Sequence, residues 1–189
     1  MFTNFHSAFH SKLEEFFITM LQEVYWSEKH LVNVLNSMSE AATTTELKEA
    51  FHTHREQTAT HAQRLEKVFE LLELPAQAEP SAGLQGLFDE GWQVIDETEA
   101  GTSQRDVALI IAAQKVEHYE ITCYGSLITL ARTLARFDVA EALIPTLNEE
   151  KETDALLTGI AEGSINYEAS QEQMSEQEMN NLERTVAMG

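Results

Sequence analysis

Glutamate and histidine side chains recur near the middle of four amphipathic segments, on the same faces as apolar residues. At helical spacing Glu28 falls between Val24 and Leu31, so its side chain is expected to point into a helical bundle. Carboxylates and imidazoles in such positions can ligate metals or move protons. In chain order, these inward polar positions are Glu28; His54, Thr58 and His61; Glu117 and Glu120; and Glu150 and Asp154.

Inward carboxylates that face a histidine pair need compensation, because a buried and unpaired carboxylate costs on the order of several kcal/mol. The cationic residues Lys29, Arg64 and Lys115 lie to the side of these faces. A metal pair could instead neutralise the carboxylates, since Glu and His from four helices build di-iron and di-manganese bundles. These ligand types suit Fe or Mn. The alternative is a polar interior held together by hydrogen bonds alone.

Helical phase also separates these positions from acidic residues that are expected to face water. Glu56, Glu149 and Glu152 fall on outer faces and are interpreted as ordinary solvent charges. Three further side chains could contact the metal ligands without binding the metal themselves: His118, Tyr119 and Tyr124.

The elements that carry these residues are predicted to be long helices, because 8 Gly and 3 Pro in 189 residues are too few for a turn-rich β fold. The predicted helices span 10–40, 45–74, 81–101, 104–136, and a last segment from 139 or 144 to 165. Pro145 leaves the start of that last helix open, since it could be a first-turn proline or a kink.

The lengths of the connections predict how the helices are arranged. The short link 41–45 makes the first two helices antiparallel neighbours, and the long connection 75–103 carries a short helix across the bundle. The predicted fold class is therefore all-α, a ferritin-like four-helix bundle with a long crossover connection containing a short fifth helix. Residues 1–167 are assigned to this bundle, and 168–189 to a polar C-terminal extension that could be a helix end, a dimer arm or a tail.

Charge and composition limit the partners. With 12 Lys+Arg against 32 Asp+Glu the formal net charge is −20, so nucleic-acid phosphates and anionic membrane surfaces would repel the chain. No apolar run approaches the roughly 20 residues of a membrane span. The first ten residues lack the pattern of a secretory signal, and the single Cys123 cannot form an internal disulfide. A cytoplasmic protein is expected.

Four segments carry a family resemblance. The run RDVALIIAAQKVEHYEITCYGSL at 105–127 resembles the third-helix signature of the YciE/YciF family of ferritin-like stress proteins. The stretches WSEKHL at 26–31, ELKEAFHTHREQT at 46–58 and LNEEKETD at 147–154 are similar to parts of its other helices. The resemblance covers about residues 10–165. It implies a bundle that is usually dimeric, has a candidate dinuclear metal centre, and belongs to a family linked to bacterial stress responses.

Matched by position, the resemblance implies a set of metal ligands: Glu28, His54, Glu117, Glu120 and Glu150. Gln57 departs from the pattern, because related sequences tend to have a glutamate there in a His-x-x-Glu pair with His54. A glutamine is a weaker and neutral oxygen ligand, and Asp154 and His61 could partly compensate for it.

The resulting functional hypothesis is a homodimeric di-metal carboxylate protein that binds Fe or Mn. Its chemistry would be iron oxidation dependent on oxygen or peroxide. The alternative hypothesis is a non-enzymatic, stress-induced structural or interaction bundle whose metal site is incomplete or empty.

Overall fold

The computed structural model describes residues 11–174 and residue 179, and regular structure in this part of the chain is helical. The main helices are α1 (Lys12–Ala41), α2 (Thr45–Leu71), α3 (Ala82–Glu97), α4 (Ser103–Thr133) and α5 (Phe137–Ile160). A π-helical turn at Ala161–Ile165 continues α5 into the short helix α6 (Asn166–Gln171). This architecture confirms the predicted all-α, ferritin-like four-helix bundle with a short crossover helix.

Local sequence signals account for where several helices begin. Ser11 precedes α1 and its hydroxyl accepts the Glu14 backbone N–H at 3.1 Å, while Thr102 does the same for Arg105 at 3.1 Å ahead of α4. Ser81 caps α3 more weakly, at 3.4 Å from the Leu84 nitrogen. Such caps satisfy backbone donors that have no partner within the helix.

The bundle core consists of two apolar clusters that are separated by a polar layer. One cluster includes Leu31, Phe51 and Leu157, and the other includes Leu21, Leu65 and Leu143. On each long helix the inward stripe passes from one cluster to the other through glutamate or histidine. The fold therefore encloses the polar layer at mid-height, with apolar side chains above and below it.

Helix α5 begins earlier than either predicted start. It starts at Phe137, so Pro145 lies in its interior. A proline there removes one backbone hydrogen bond and crowds the carbonyl four residues before it. Val139, Ala140 and Leu143 are fully or almost fully buried, and their packing holds the turns before the proline in place.

The polar extension begins by folding back onto the bundle. The Glu172 carboxylate accepts the backbone N–H groups of Ser103 and Gln104 at 2.5 and 2.9 Å, which caps the N-terminus of α4. Of the predicted extension 168–189, residues 175–178 and 180–189 lie outside the described residues. Across the described residues, no helix combines the length and apolar character that crossing a bilayer requires.

Asp106 ties the link between α1 and α2 to α4. Its buried carboxylate accepts the backbone N–H of Thr43 at 2.6 Å and that of Thr44 at 2.8 Å. Replacing Asp106 with alanine should lower the free energy of unfolding by about 2–3 kcal/mol, because two charge-assisted hydrogen bonds are lost. Urea denaturation measures the change. The exposed Asp96→Ala is the control, with an expected change within about 0.5 kcal/mol; equal effects of the two substitutions would contradict the assignment.

Candidate metal centre

Four helices bring six buried side chains with ligand atoms into the polar layer. Each is at most 2% exposed: Glu28 from α1, His54 and His61 from α2, Glu117 and Glu120 from α4, and Glu150 from α5. We call these six residues the central cluster. His54 and His61 share one face because seven residues turn a helix to within about 20° of its starting direction. Each helix thus reaches the same level with one or two ligand side chains.

The central cluster divides into two overlapping groups with metal-binding geometry. One group is His54, Glu117, Glu120 and Glu150; the other is Glu28, His61 and Glu150. Within each group, one ligand atom from every residue lies within 4.8 Å of the others. Glu150 belongs to both groups and is the residue that they share.

Individual distances show how closely the two histidines approach the carboxylates. His54 Nε2 lies 3.2 Å from Glu117 Oε1 and 3.6 Å from Glu150 Oε2. His61 Nδ1 lies 2.9 Å from Glu150 Oε1 and 3.5 Å from Glu28 Oε2. The two rings therefore contact opposite oxygens of the shared Glu150 carboxylate.

The central cluster concentrates buried polar atoms that make no well-aligned hydrogen bond. Among the described residues nine buried side-chain nitrogen or oxygen atoms make no well-aligned hydrogen bond, and eight of them belong to the cluster. Some of the eight still lie at ion-pair distance from each other, as His61 Nδ1 and Glu150 Oε1 do at 2.9 Å. The ninth is Thr44 Oγ1. Native interiors satisfy most buried polar groups, so this concentration makes the central cluster a candidate binding site. Carboxylate oxygens and imidazole nitrogens converging from four helices fit a pair of metal cations.

Each histidine ring contacts a hydrogen-bonding group on the side away from the cluster. His54 Nδ1 lies 3.2 Å from Thr153 Oγ1 and 3.4 Å from Gln57 Oε1. His61 Nε2 lies 2.8 Å from Glu149 Oε2. An acceptor behind a ring holds the proton on the outer nitrogen and leaves the inner nitrogen available as a metal ligand.

The electrostatics of the central cluster favour bound protons when cations do not balance the carboxylates. Burial opposes the charged form of His54, but the charges of Glu117 and Glu150 outweigh it and raise its pKa to about 9. Burial likewise opposes charging of His61, whose pKa Glu150 and Glu28 nevertheless raise to about 10. Burial raises the pKa of Glu150 to about 8. Burial, reinforced by Glu28, Glu150 and Glu117, holds the pKa of Glu120 well above its usual range.

The three side chains predicted to contact the metal ligands, Tyr124, His118 and Tyr119, lie in different surroundings. Tyr124 is fully buried, and its hydroxyl donates a hydrogen bond to Glu28 Oε1, which leaves Oε2 directed at His61. His118 is exposed and its Nδ1 contacts the Gln114 carbonyl at 2.9 Å. The Tyr119 ring packs against Gly83 of α3. Of these three, Tyr124 is the one whose hydroxyl contacts the central cluster.

The remaining residues that the sequence suggested as ligands, Asp154, Gln57 and His61, occupy different positions relative to the central cluster. Asp154 lies outside both groups, where its carboxylate accepts a hydrogen bond from Gln114 Nε2 at 3.1 Å on a half-buried surface. It is rotated about 40° from Glu150 around the helix, which turns its short side chain toward α4 rather than into the centre. Gln57 contacts the outer nitrogen of His54, and His61 lies among the ligand atoms.

The interpretation of Glu149 as an ordinary solvent charge was wrong. The carboxylate is 27% exposed and contacts both His61 and Arg64. Helical phase alone missed this role, because the contact depends on how α5 is aligned with α2. The available sequence signal for this contact was that Glu149 directly precedes the inward Glu150, and that signal is weak.

Comparisons with known proteins agree with this fold. A family model described as a domain of unknown function (DUF892) matches residues 12–170. The Escherichia coli K12 protein YciF is 40% identical over 158 residues, which cover 83% of this chain and 95% of YciF.

Solved structures show the same similarity. The crystal structure of the E. coli stress protein YciF matches with a TM-score of 0.78 and covers 82% of this chain and 98% of that one. The Rhodopseudomonas palustris protein YcfI matches at 31% identity with a TM-score of 0.76, over 78% of this chain and 94% of its own. A Xanthomonas campestris protein at 21% identity shares the fold, with a TM-score of 0.64.

Proposed function

This chain belongs to the YciE/YciF family of ferritin-like stress proteins, and we propose that it binds two Fe or Mn ions at the central cluster. The observation that carries the proposal is that six buried carboxylate and imidazole side chains form two groups of ligand atoms, each within 4.8 Å of one another, that share Glu150. A role in stress is proposed by analogy with the E. coli stress protein YciF.

Charge balance supports two divalent ions rather than one. The central cluster contains four carboxylates, from Glu28, Glu117, Glu120 and Glu150, so the ionised cluster carries −4. Two divalent cations supply +4 and leave the buried centre neutral, whereas a single ion would leave uncompensated charge in the core. One ion would be held by the His54 group and the other by the His61 group, with Glu150 shared.

Carboxylate and imidazole ligands suit Fe and Mn, and an iron pair would supply the redox chemistry for oxidation of Fe(II) by oxygen or peroxide. The chain's own contribution is geometric and electrostatic. The two apolar clusters shield the ligands from bulk water, Tyr124 orients Glu28, and groups behind both histidines fix the rings.

Elemental analysis of protein purified without chelators tests the proposal. About two Fe or Mn ions per chain are expected after incubation with the metal. A metal content below about one Fe, Mn or Zn ion per two chains, with no increase after Fe(II) addition, would contradict the proposal. Oxygen consumption after Fe(II) addition then tests iron oxidation separately from binding.

Metal binding should release protons and become tighter as the pH rises from 6 to 8. The raised pKa values of about 9 for His54, about 10 for His61 and about 8 for Glu150 mean that metal-free protein holds these protons at neutral pH. Bound cations must displace them. Calorimetric titration with Mn(II) in buffers of different ionisation enthalpy should give a release of about two protons or more per chain. Affinity that is independent of pH would contradict these protonation states.

We also propose that the chain forms a homodimer, as the family resemblance implies. An apolar groove of about 620 Å³ between α1 and α4 supports this, because it is lined by Phe16, which is 55% exposed, and by Met20 and Ile121. Sedimentation velocity should give the mass of two chains, and Phe16→Ser should shift the distribution toward monomer. A monomer at all concentrations would contradict the proposal.

A further inference from the structure

Arg64 of α2 and Glu149 of α5 form an ion pair directly behind His61. Both nitrogens of the guanidinium fork donate to the Glu149 carboxylate, Nη2 to Oε1 at 2.9 Å and Nη1 to Oε2. Nη1 also donates to Thr146 Oγ1 at 3.2 Å. A two-point contact of this kind fixes the plane of a carboxylate as well as its position.

The ion pair reaches the central cluster through one histidine. Glu149 Oε2 lies 2.8 Å from His61 Nε2, and the opposite ring nitrogen faces Glu150 and Glu28. His61 is fully buried, whereas Arg64 and Glu149 are 26% and 27% exposed. A hydrogen-bonded chain therefore runs from the protein surface to one side of the centre.

The other side of the centre has no charged support of this kind among the described residues. His54 contacts the hydroxyl of Thr153 and the amide oxygen of Gln57, which are both neutral. The His54 group has three carboxylates, whereas the His61 group has two, one of which is the shared Glu150. An ion in the His61 group therefore depends more strongly on the orientation and basicity of its histidine.

We propose that Arg64 and Glu149 are positioning residues for the ion of the His61 group, an inference that rests on the proposed metal-binding function. Glu149 holds the proton on Nε2 and presents Nδ1 to the ion, and Arg64 fixes Glu149. Because the two charges cancel, the pair orients His61 without adding net charge beside a centre that two divalent ions already neutralise.

Titration with Co(II), followed by calorimetry and by visible absorption, tests this inference. Wild-type protein should bind two ions. Glu149→Leu removes the acceptor and should weaken the binding of one of the two ions by about 10–100-fold, while the affinity for the other ion changes by less than about threefold. Glu149→Gln keeps an acceptor oxygen and should restore part of the loss. The exposed Glu152→Gln on the same helix is the control and should match wild type.

Arg64→Lys provides a second variant that keeps the charge but loses the two-point contact, and it carries the test if Glu149→Leu does not fold. Arg64→Lys should lower the affinity for the same ion and leave the affinity for the other ion unchanged. Equal weakening of both ions, or unchanged affinity for both, would overturn the positioning role while the metal centre stands. Failure of wild-type protein to bind Co(II) at either site would instead overturn the proposed function.

Discussion

Replacing Glu150 with glutamine should reduce the bound metal from about two ions per chain to fewer than one. Glu150 is the one residue that the two ligand groups share, and it is fully buried between His54 and His61. The substitution keeps the shape of the side chain but removes the negative charge that both ions use. It also leaves the three remaining carboxylates unable to balance two divalent ions. Elemental analysis after incubation with Mn(II) and dialysis measures the loss.

Glu117→Gln is the matched comparison, because Glu117 belongs only to the His54 group. It should leave about one ion bound, so the two substitutions should differ by about one ion per chain. Glu152→Gln, on the exposed face of the same helix as Glu150, should retain both. If Glu150→Gln and Glu117→Gln each lose the same single ion, Glu150 does not act as a bridge.

The inward carboxylates could be predicted from the sequence because burial on a long helix follows its period. Glu28, Glu117 and Glu150 each fall on an apolar stripe, and the structure buries all three. The same reasoning located His54 and His61. This success depended on four long helices with few breaks, in which the phase of each stripe persists for many turns.

Contacts between helices could not be predicted in the same way. The phase of α5 placed Asp154 inward and Glu149 outward, yet Asp154 contacts Gln114 and Glu149 contacts His61. These outcomes depend on how α5 packs against α2 and α4. That packing joins residues distant in sequence, such as His61 and Glu149, which are 88 residues apart. A single sequence carries little information about it.

Replacing Glu120 with leucine should stabilise the metal-free protein and remove about half of its response to metal, because Glu120 belongs only to the His54 group. Both Glu120 oxygens are buried without a hydrogen-bond partner, so the carboxyl raises the free energy of the metal-free fold. An apolar side chain of similar size should increase the free energy of unfolding by about 1–4 kcal/mol. Urea denaturation with chelator present measures this gain, and the exposed Glu152→Leu is the control.

The gain from Glu120→Leu should be larger at pH 8 than at pH 5. Burial and the neighbouring carboxylates hold the pKa of Glu120 well above its usual range. A carboxyl group whose pKa is higher in the folded state than in the unfolded chain ionises more readily in the unfolded chain. It therefore lowers the free energy of unfolding by an increasing amount as the pH rises above its pKa in the unfolded chain. The leucine variant lacks this cost. A gain that shrinks with rising pH would contradict the electrostatic account of the cluster.

The same variant separates the metal centre from the alternative of a purely structural bundle. In wild-type protein, Mn(II) at about 100 times its dissociation constant should add about 2.7 kcal/mol per bound ion to the free energy of unfolding, or about 5.4 kcal/mol for two ions. Glu120→Leu should lose about half of that addition, since the His61 group stays intact, while remaining more stable than wild type in chelator. A polar interior that needs no metal would give no Mn(II)-dependent rise in either protein. If Glu120 instead held the fold together by itself, the variant would be the less stable of the two in chelator. Opposite changes with and without metal are therefore specific to a ligand whose burial is costly until cations bind.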